Sequence, residues 1–166
     1  MKKVYFLLLT AFFMLSLSVQ SQTFEKGDFG LNVGIGIGYR GFPIEVSGTY
    51  GIVDNLFNVD GLTMSVGGYV GFSSWNNSIL WGKGFAFLPA ARVLAHYSFF
   101  DNFEVYAGPM AGFRVDSYTI FTSSVSVNFF AGATGGAKYY FTDNFGVYAE
   151  VGYGIGNLMA GATFKF

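Results

Sequence analysis

The sequence predicts an all-β chain: an eight-stranded, antiparallel, up-and-down transmembrane β-barrel. Three observations carry this expectation. First, a turn pattern recurs. Tyr97-Ser-Phe-Phe-Asp101-Asn102-Phe103 and Tyr139-Tyr-Phe-Thr-Asp143-Asn144-Phe145 match closely, and Tyr50-Gly-Ile-Val-Asp54-Asn55-Leu56 is a looser copy. Asp-Asn pairs bond the local backbone and tolerate left-handed dihedrals, so each marks a turn. They stand 47 and 42 residues apart, room for two long strands and one loop. With both termini on the same side, these turns join strands 2–3, 4–5 and 6–7. Second, the chain is 52% hydrophobic and only 11% charged, where a soluble domain carries about 25% charge. Third, strand-like segments alternate bulky apolar residues with glycine or polar residues.

The elements follow in order. Residues 1–21 read as a secretory signal peptide: Lys2 and Lys3, an apolar run from Val4 to Leu17, then Ser18-Val19-Gln20-Ser21, where Val19 and Ser21 suit the positions before a cleavage site. The mature barrel is expected over 22–166. Without Lys2 and Lys3 the formal charge moves from −1 to −3. There is no basic patch and no case for nucleic acid. There is no cysteine, so neither disulfides nor an acylated lipoprotein start is available.

In strand 1, Phe29, Leu31, Val33, Ile35, Ile37 and Tyr39 share one face, and four glycines with Asn32 share the other. The bare face has too little volume to form a polar exterior. It suits the inside of a narrow barrel, with the bulky face toward lipid. Strand 2 then turns Ile44, Val46, Tyr50 and Ile52 outward and Glu45 inward. Strand 3 turns Leu62, Met64, Val66, Val70 and Phe72 outward. Its register requires a bulge at Asp60-Gly61 or a longer first turn. Strand 4 sends Arg92 and His96 inward, strand 5 Glu104 and Arg114, strand 6 Lys138, strand 7 Glu150, strand 8 Lys165. A cation on the lipid face near the midplane costs about 2–4 kcal/mol, and this assignment puts none there. Pro89 and Pro109 remove ladder donors inside strands, so distortion is expected near both. Aromatic residues crowd the turns: Tyr97, Phe99, Phe100 and Phe103 at one, Tyr139, Tyr140, Phe141 and Phe145 at another. They resemble an interfacial girdle.

The C-terminal segment Gly161-Ala-Thr-Phe164-Lys-Phe166 resembles the assembly signal of bacterial outer-membrane barrels, with Gly161, Phe164 and Phe166 as its residues. Met159 stands where that pattern often has a polar residue. Together with the leader, the Asp-Asn turns and Glu150-Val-Gly-Tyr-Gly, the mature chain resembles the small outer-membrane β-barrel family, the OmpA/OmpX-type eight-stranded barrels. The resemblance implies the outer membrane of a Gram-negative-type bacterium, with outer-membrane lipid, periplasmic chaperones and the barrel assembly machinery as partners. A monomer is expected.

Candidate chemistry is sparse. One histidine and no cysteine leave no nitrogen–sulfur metal cage, and no cofactor is expected. Gly34-Ile-Gly-Ile-Gly38 lies within an alternating strand with no helix after it, which excludes a phosphate loop. His96-Tyr-Ser98 with Glu104 echoes an outer-membrane lipid A deacylase. The topology places that trio at the periplasmic end and in the lumen, away from outer-leaflet lipid, so no enzyme is expected.

Glu45, Arg92, Glu104, Arg114, Lys138, Glu150 and Lys165 form a nearly balanced inward charge set. Eight strands enclose just enough room for side chains, so the expectation is a plug of ion pairs, with a gate or narrow water path as the alternative. The function expected is therefore a structural barrel with a side-chain-filled lumen, serving envelope integrity. The alternatives are a surface-binding or adhesion barrel acting through outer loops 73–84 and 116–124, a low-conductance pore, and a lipid A hydrolase. Trp75 and Trp81, flanking the longest loop, are the candidate surface contacts.

Overall fold

The computed structural model describes residues 24–38, 41–77, 82–119 and 123–166. The leader at 1–21, Tyr39 and Trp81 lie outside the described residues. Eight strands form one closed antiparallel ring: β1 (Phe29–Ile37), β2 (Phe42–Val53), β3 (Leu62–Asn77), β4 (Gly82–Phe100), β5 (Phe103–Thr119), β6 (Ser123–Tyr140), β7 (Phe145–Gly152) and β8 (Leu158–Lys165). Each strand pairs with its sequence neighbour, and β1 closes on β8 from Gly30↔Lys165 to Ile37↔Leu158. The three Asp-Asn turns therefore share the end that holds the termini. There the backbones of Phe29 and Phe166 exchange two 2.9 Å hydrogen bonds.

The alternation decides the faces. Inward positions such as Asn32, Glu45, Arg92, Lys138 and Glu150 are buried, and outward Val33, Ile44, Val70, Phe87 and Val147 are exposed. Aromatic rings meet around the end that holds the termini, as in Tyr97–Phe99 (4.8 Å between centroids), Tyr139–Phe141 (5.5 Å) and Phe145–Phe164 (5.4 Å). Tyr140 departs from the expected girdle. Its parity turns it inward, and it is buried.

The first turn is the longer one that strand 3 required. A short 3-10 segment, Leu56–Asn58, fills it. Asn55, Phe57 and Asn58 take left-handed dihedrals there, which the asparagines adopt at little cost. A register shift between Gly51 and Val53 completes the adjustment. The prolines disturb less than expected. Cross-strand pairing between β4 and β5 is interrupted beside Pro89 and beside Pro109, yet the same register resumes beyond each. A missing donor removes one bond without adding a residue, so nothing slips.

The expected outer loops shrink. β3 runs to Asn77 and β4 starts at Gly82; β5 runs to Thr119 and β6 starts at Ser123. Most of 73–84 and 116–124 is therefore strand, and β3 to β6 form a sheet taller than β7, β8 and β1.

Candidate functional site in the barrel lumen

The lumen is filled in layers. At mid-height, Arg92 on β4 faces Glu150 on β7. Its Nη1 lies 3.2 Å from Glu150 Oε2, and its Nη2 donates to Ser47 Oγ at 2.7 Å. Tyr106 on β5 donates to the same Glu150 oxygen at 2.7 Å. Glu45 accepts from Tyr148 Oη at 2.6 Å. These groups are all buried, where an unpaired charge would be costly.

Glycines make this geometry possible. Register places Tyr148, Gly161, Gly34 and Glu45 in one row across β7, β8, β1 and β2. The tyrosine reaches across two strands at positions that carry no side chain. A Cβ on Gly34 would fall 2.0 Å from Tyr148 Oη. A second row runs Tyr106, Gly136, Glu150 across β5, β6 and β7. Here a Cβ on Gly136 would meet the Tyr106 ring at 2.7 Å. The bare inward face of the sequence is thus floor space for tyrosines from neighbouring strands. Each tyrosine's apolar ring covers backbone while its hydroxyl finds a carboxylate.

Nearer the end that holds the termini, Glu104 Oε1 binds His96 Nδ1 at 2.6 Å and Lys138 Nζ at 3.0 Å. The lysine contact is an ion pair by distance but lies off the axis of a good hydrogen bond. His96 Nε2 bonds Ser65 Oγ at 2.7 Å. This Ser–His–Glu chain has the order of a nucleophile relay, but its serine is Ser65, not Ser98. Ser65 is 0% exposed and presents no surface to a substrate. The bonds fix the histidine in place.

Phe24, which precedes β1, caps this layer. It is 2% exposed. Its ring stacks on His96 at 4.6 Å, and Lys138 Nζ lies 5.2 Å from its centroid. The following residues strap it to β2. Gly27 N–H donates to Gly51 O at 3.0 Å, and Lys26 N–H donates to Asp54 Oδ1 at 2.6 Å. Asp54 thus anchors the strap as well as marking a turn. Alternation alone could not signal Phe24, because it lies outside any strand.

Toward the other mouth the filling becomes apolar. Tyr69, Trp75, Ala86, Leu88, Met110 and Ile155 form one buried cluster. Ile155 comes from the β7–β8 connection, whose backbone N–H donates to Tyr69 Oη at 3.2 Å. Trp75 corrects the surface-contact expectation: it is only 8% exposed. Because β3 extends past it, its parity turns it inward, where its ring lies over Gly84.

The remaining predicted charges lie apart from the central set. Arg114 Nε contacts both Asp116 oxygens at 3.1 Å, two residues along β5 and partly exposed. Lys165 Nζ sits 5.3 Å from the Tyr140 ring centroid near the end that holds the termini. Of the C-terminal trio, Gly161 opposes Gly34 in the closing seam, Phe164 opposes Leu31, and Phe166 bonds Phe29. No group of metal-ligating side chains occurs among the described residues.

No protein-family model matches the chain, and no curated protein matches it in sequence. Its fold is similar to solved structures. Ail, the attachment invasion locus protein of Yersinia pestis, in complex with the heparin analogue sucrose octasulfate, aligns with a TM-score of 0.56 at 14% identity, over 85% of this chain and 99% of that one. The N-terminal β-barrel domain of Pseudomonas aeruginosa OprF gives 0.52 at 18% identity, over 85% and 98%. A de novo designed transmembrane β-barrel gives 0.53 at 20% identity, over 86% and 98%. At these identities the likeness establishes the fold, a small transmembrane β-barrel.

Proposed function

We propose that this chain is a monomeric integral protein of the bacterial outer membrane, delivered by its leader and inserted by the barrel assembly machinery. Its role is structural: a sealed barrel that contributes to envelope integrity. The observation that carries this reading is the layered lumen. An apolar cap including Ile155 lies toward one mouth, a bonded charge layer in the middle, and Phe24 toward the other mouth.

Planar-bilayer recording tests the seal. The wild type should show little steady conductance, and a Phe24→Ala, Ile155→Ser double variant should conduct more. Large, stable wild-type channels would defeat the reading. A deletion strain should become more sensitive to detergent, which separates an envelope role from a dispensable one.

One observation favours a second reading, a surface-binding barrel. β6 pairs with β7 only from Thr134 onward. Its outer stretch above Ala133 has a partner on the β5 side alone, and Val125 and Phe129 there are 66% and 70% exposed. An open strand edge can pair with an incoming strand. The free edge groups belong to the odd residues of β6, since Ala133 O faces β7 while Tyr140 N–H faces β5. Replacing Val127 and Phe129 with proline should therefore abolish host-cell or matrix binding while leaving the barrel inserted. Unchanged binding would remove this reading.

A further inference from the structure

The outward faces of the eight strands carry one charge among the described residues, Lys83. It shares a row with Asn76 on β3 and Thr119 on β5. The row beneath is Ser74, Phe85 and Ser117, and the next is Phe72, Phe87 and Val115. From the middle of the barrel upward, the outer wall thus passes from wholly apolar to mixed, and then to amide, ammonium and hydroxyl.

Height agrees with that change. Lys83 lies fourteen residues up β4 from Tyr97 in the periplasmic aromatic ring. At about 3.3 Å per residue and a tilt of about 40°, that is about 35 Å along the barrel axis. The apolar band of such barrels is about 25 Å tall. Lys83 therefore stands about 10 Å past the far edge of the band, within the headgroup layer.

The ammonium has no carboxylate partner among the described residues, and neither adjoining stretch of sequence, 78–81 or 120–122, contains one. Neighbouring side chains in a row stand about 5 Å apart, so Asn76 and Thr119 flank the lysine within reach of one anion. The three line a shallow cleft of about 620 Å³ together with Phe72 and Phe85. Those two rings stack at 6.0 Å directly below.

We propose that Asn76, Lys83 and Thr119 seat the phosphate of an outer-leaflet lipid headgroup, with an acyl chain of that lipid lying over Phe85 and Phe72. Lys83 supplies the charge and Asn76 and Thr119 the flanking hydrogen bonds. The rings exclude water on the chain side, which strengthens the charge-assisted contact. This seat rests on the membrane reading given above.

The test uses the protein purified from membranes, with insertion into vesicles checked first. Native mass spectrometry then measures binding of a phosphorylated disaccharide lipid, the same lipid with its phosphates removed, and inorganic phosphate. The wild type should prefer the phosphorylated lipid. Lys83→Glu should lower its affinity about tenfold, one charge-assisted contact's worth, and Asn76→Leu with Thr119→Val should lower it less. Binding of the dephosphorylated lipid should not respond to either variant. Equal affinity for the two lipids, or an unchanged Lys83→Glu variant, overturns the seat while the inserted barrel stands. Inorganic phosphate binding as tightly as the lipid replaces it with a soluble-anion site. Failure of the wild type to enter vesicles removes the membrane reading, and the seat with it.

Discussion

Tyr148 on β7 donates a 2.6 Å hydrogen bond to Glu45 on β2, 103 residues away in sequence and with two strands between them. Gly161 and Gly34 occupy those two strands in the same row. The closing seam of the barrel, where β8 meets β1, is thus bridged from the inside by one side chain. The carboxylate it reaches is buried, and this bond offsets part of the cost of burying it.

Substituting Gly34 should break that bridge. The added methyl collides with the Tyr148 hydroxyl and with Ala160 O, so the tyrosine must leave Glu45. Gly34→Ala should cost about 1–3 kcal/mol, read from urea unfolding of the barrel in lipid vesicles. Gly68 is the control. It faces outward with nothing within 4 Å of an added Cβ, so Gly68→Ala should stay within about 0.5 kcal/mol of wild type. Equal effects at the two sites would refute the account of the glycine rows.

Arg92 and Glu150 form the central ion pair. Arg92→Met leaves a buried carboxylate with the Tyr106 hydroxyl as its remaining hydrogen-bond donor. The expected loss is about 3–5 kcal/mol. Glu150→Gln, with Arg92 kept, should also destabilise, because the buried guanidinium then loses the carboxylate of its ion pair. The double variant should recover much of the single-variant loss, since burying a neutral pair carries no charge penalty. A double-mutant cycle with no coupling would show that the pair is solvated.

Phe166 tests assembly. Its backbone closes the ring through Phe29, while its side chain is exposed on the outer wall. Phe166→Asp should lower the amount of protein reaching the outer membrane under native expression. The stability of protein refolded in vitro should change by much less. Normal membrane levels would argue that the terminal strand is not read as a signal.

The face assignments were legible in the sequence because strand alternation is local: each residue's side follows from its neighbours two positions away. That is why β1, β5, β7 and β8 were readable by parity, and why the Asp-Asn turns counted the strands. Trp75 was misplaced by its assignment to a loop and not by parity, since the end of a strand is set by whether its neighbour continues beside it. Which inward group meets which was not legible. The rows Tyr148–Gly161–Gly34–Glu45 and Tyr106–Gly136–Glu150 depend on the stagger accumulated around a closed ring, which no single strand encodes. Phe24 obeys the same limit: its place on His96 follows from the strap to Gly51 and Asp54, a contact made only once the barrel has closed. The sequence by itself determined the number of strands and the side of the wall each residue takes. The tertiary structure alone decided the partners inside and what seals the lumen, because those contacts join distant strands through a register fixed by closure.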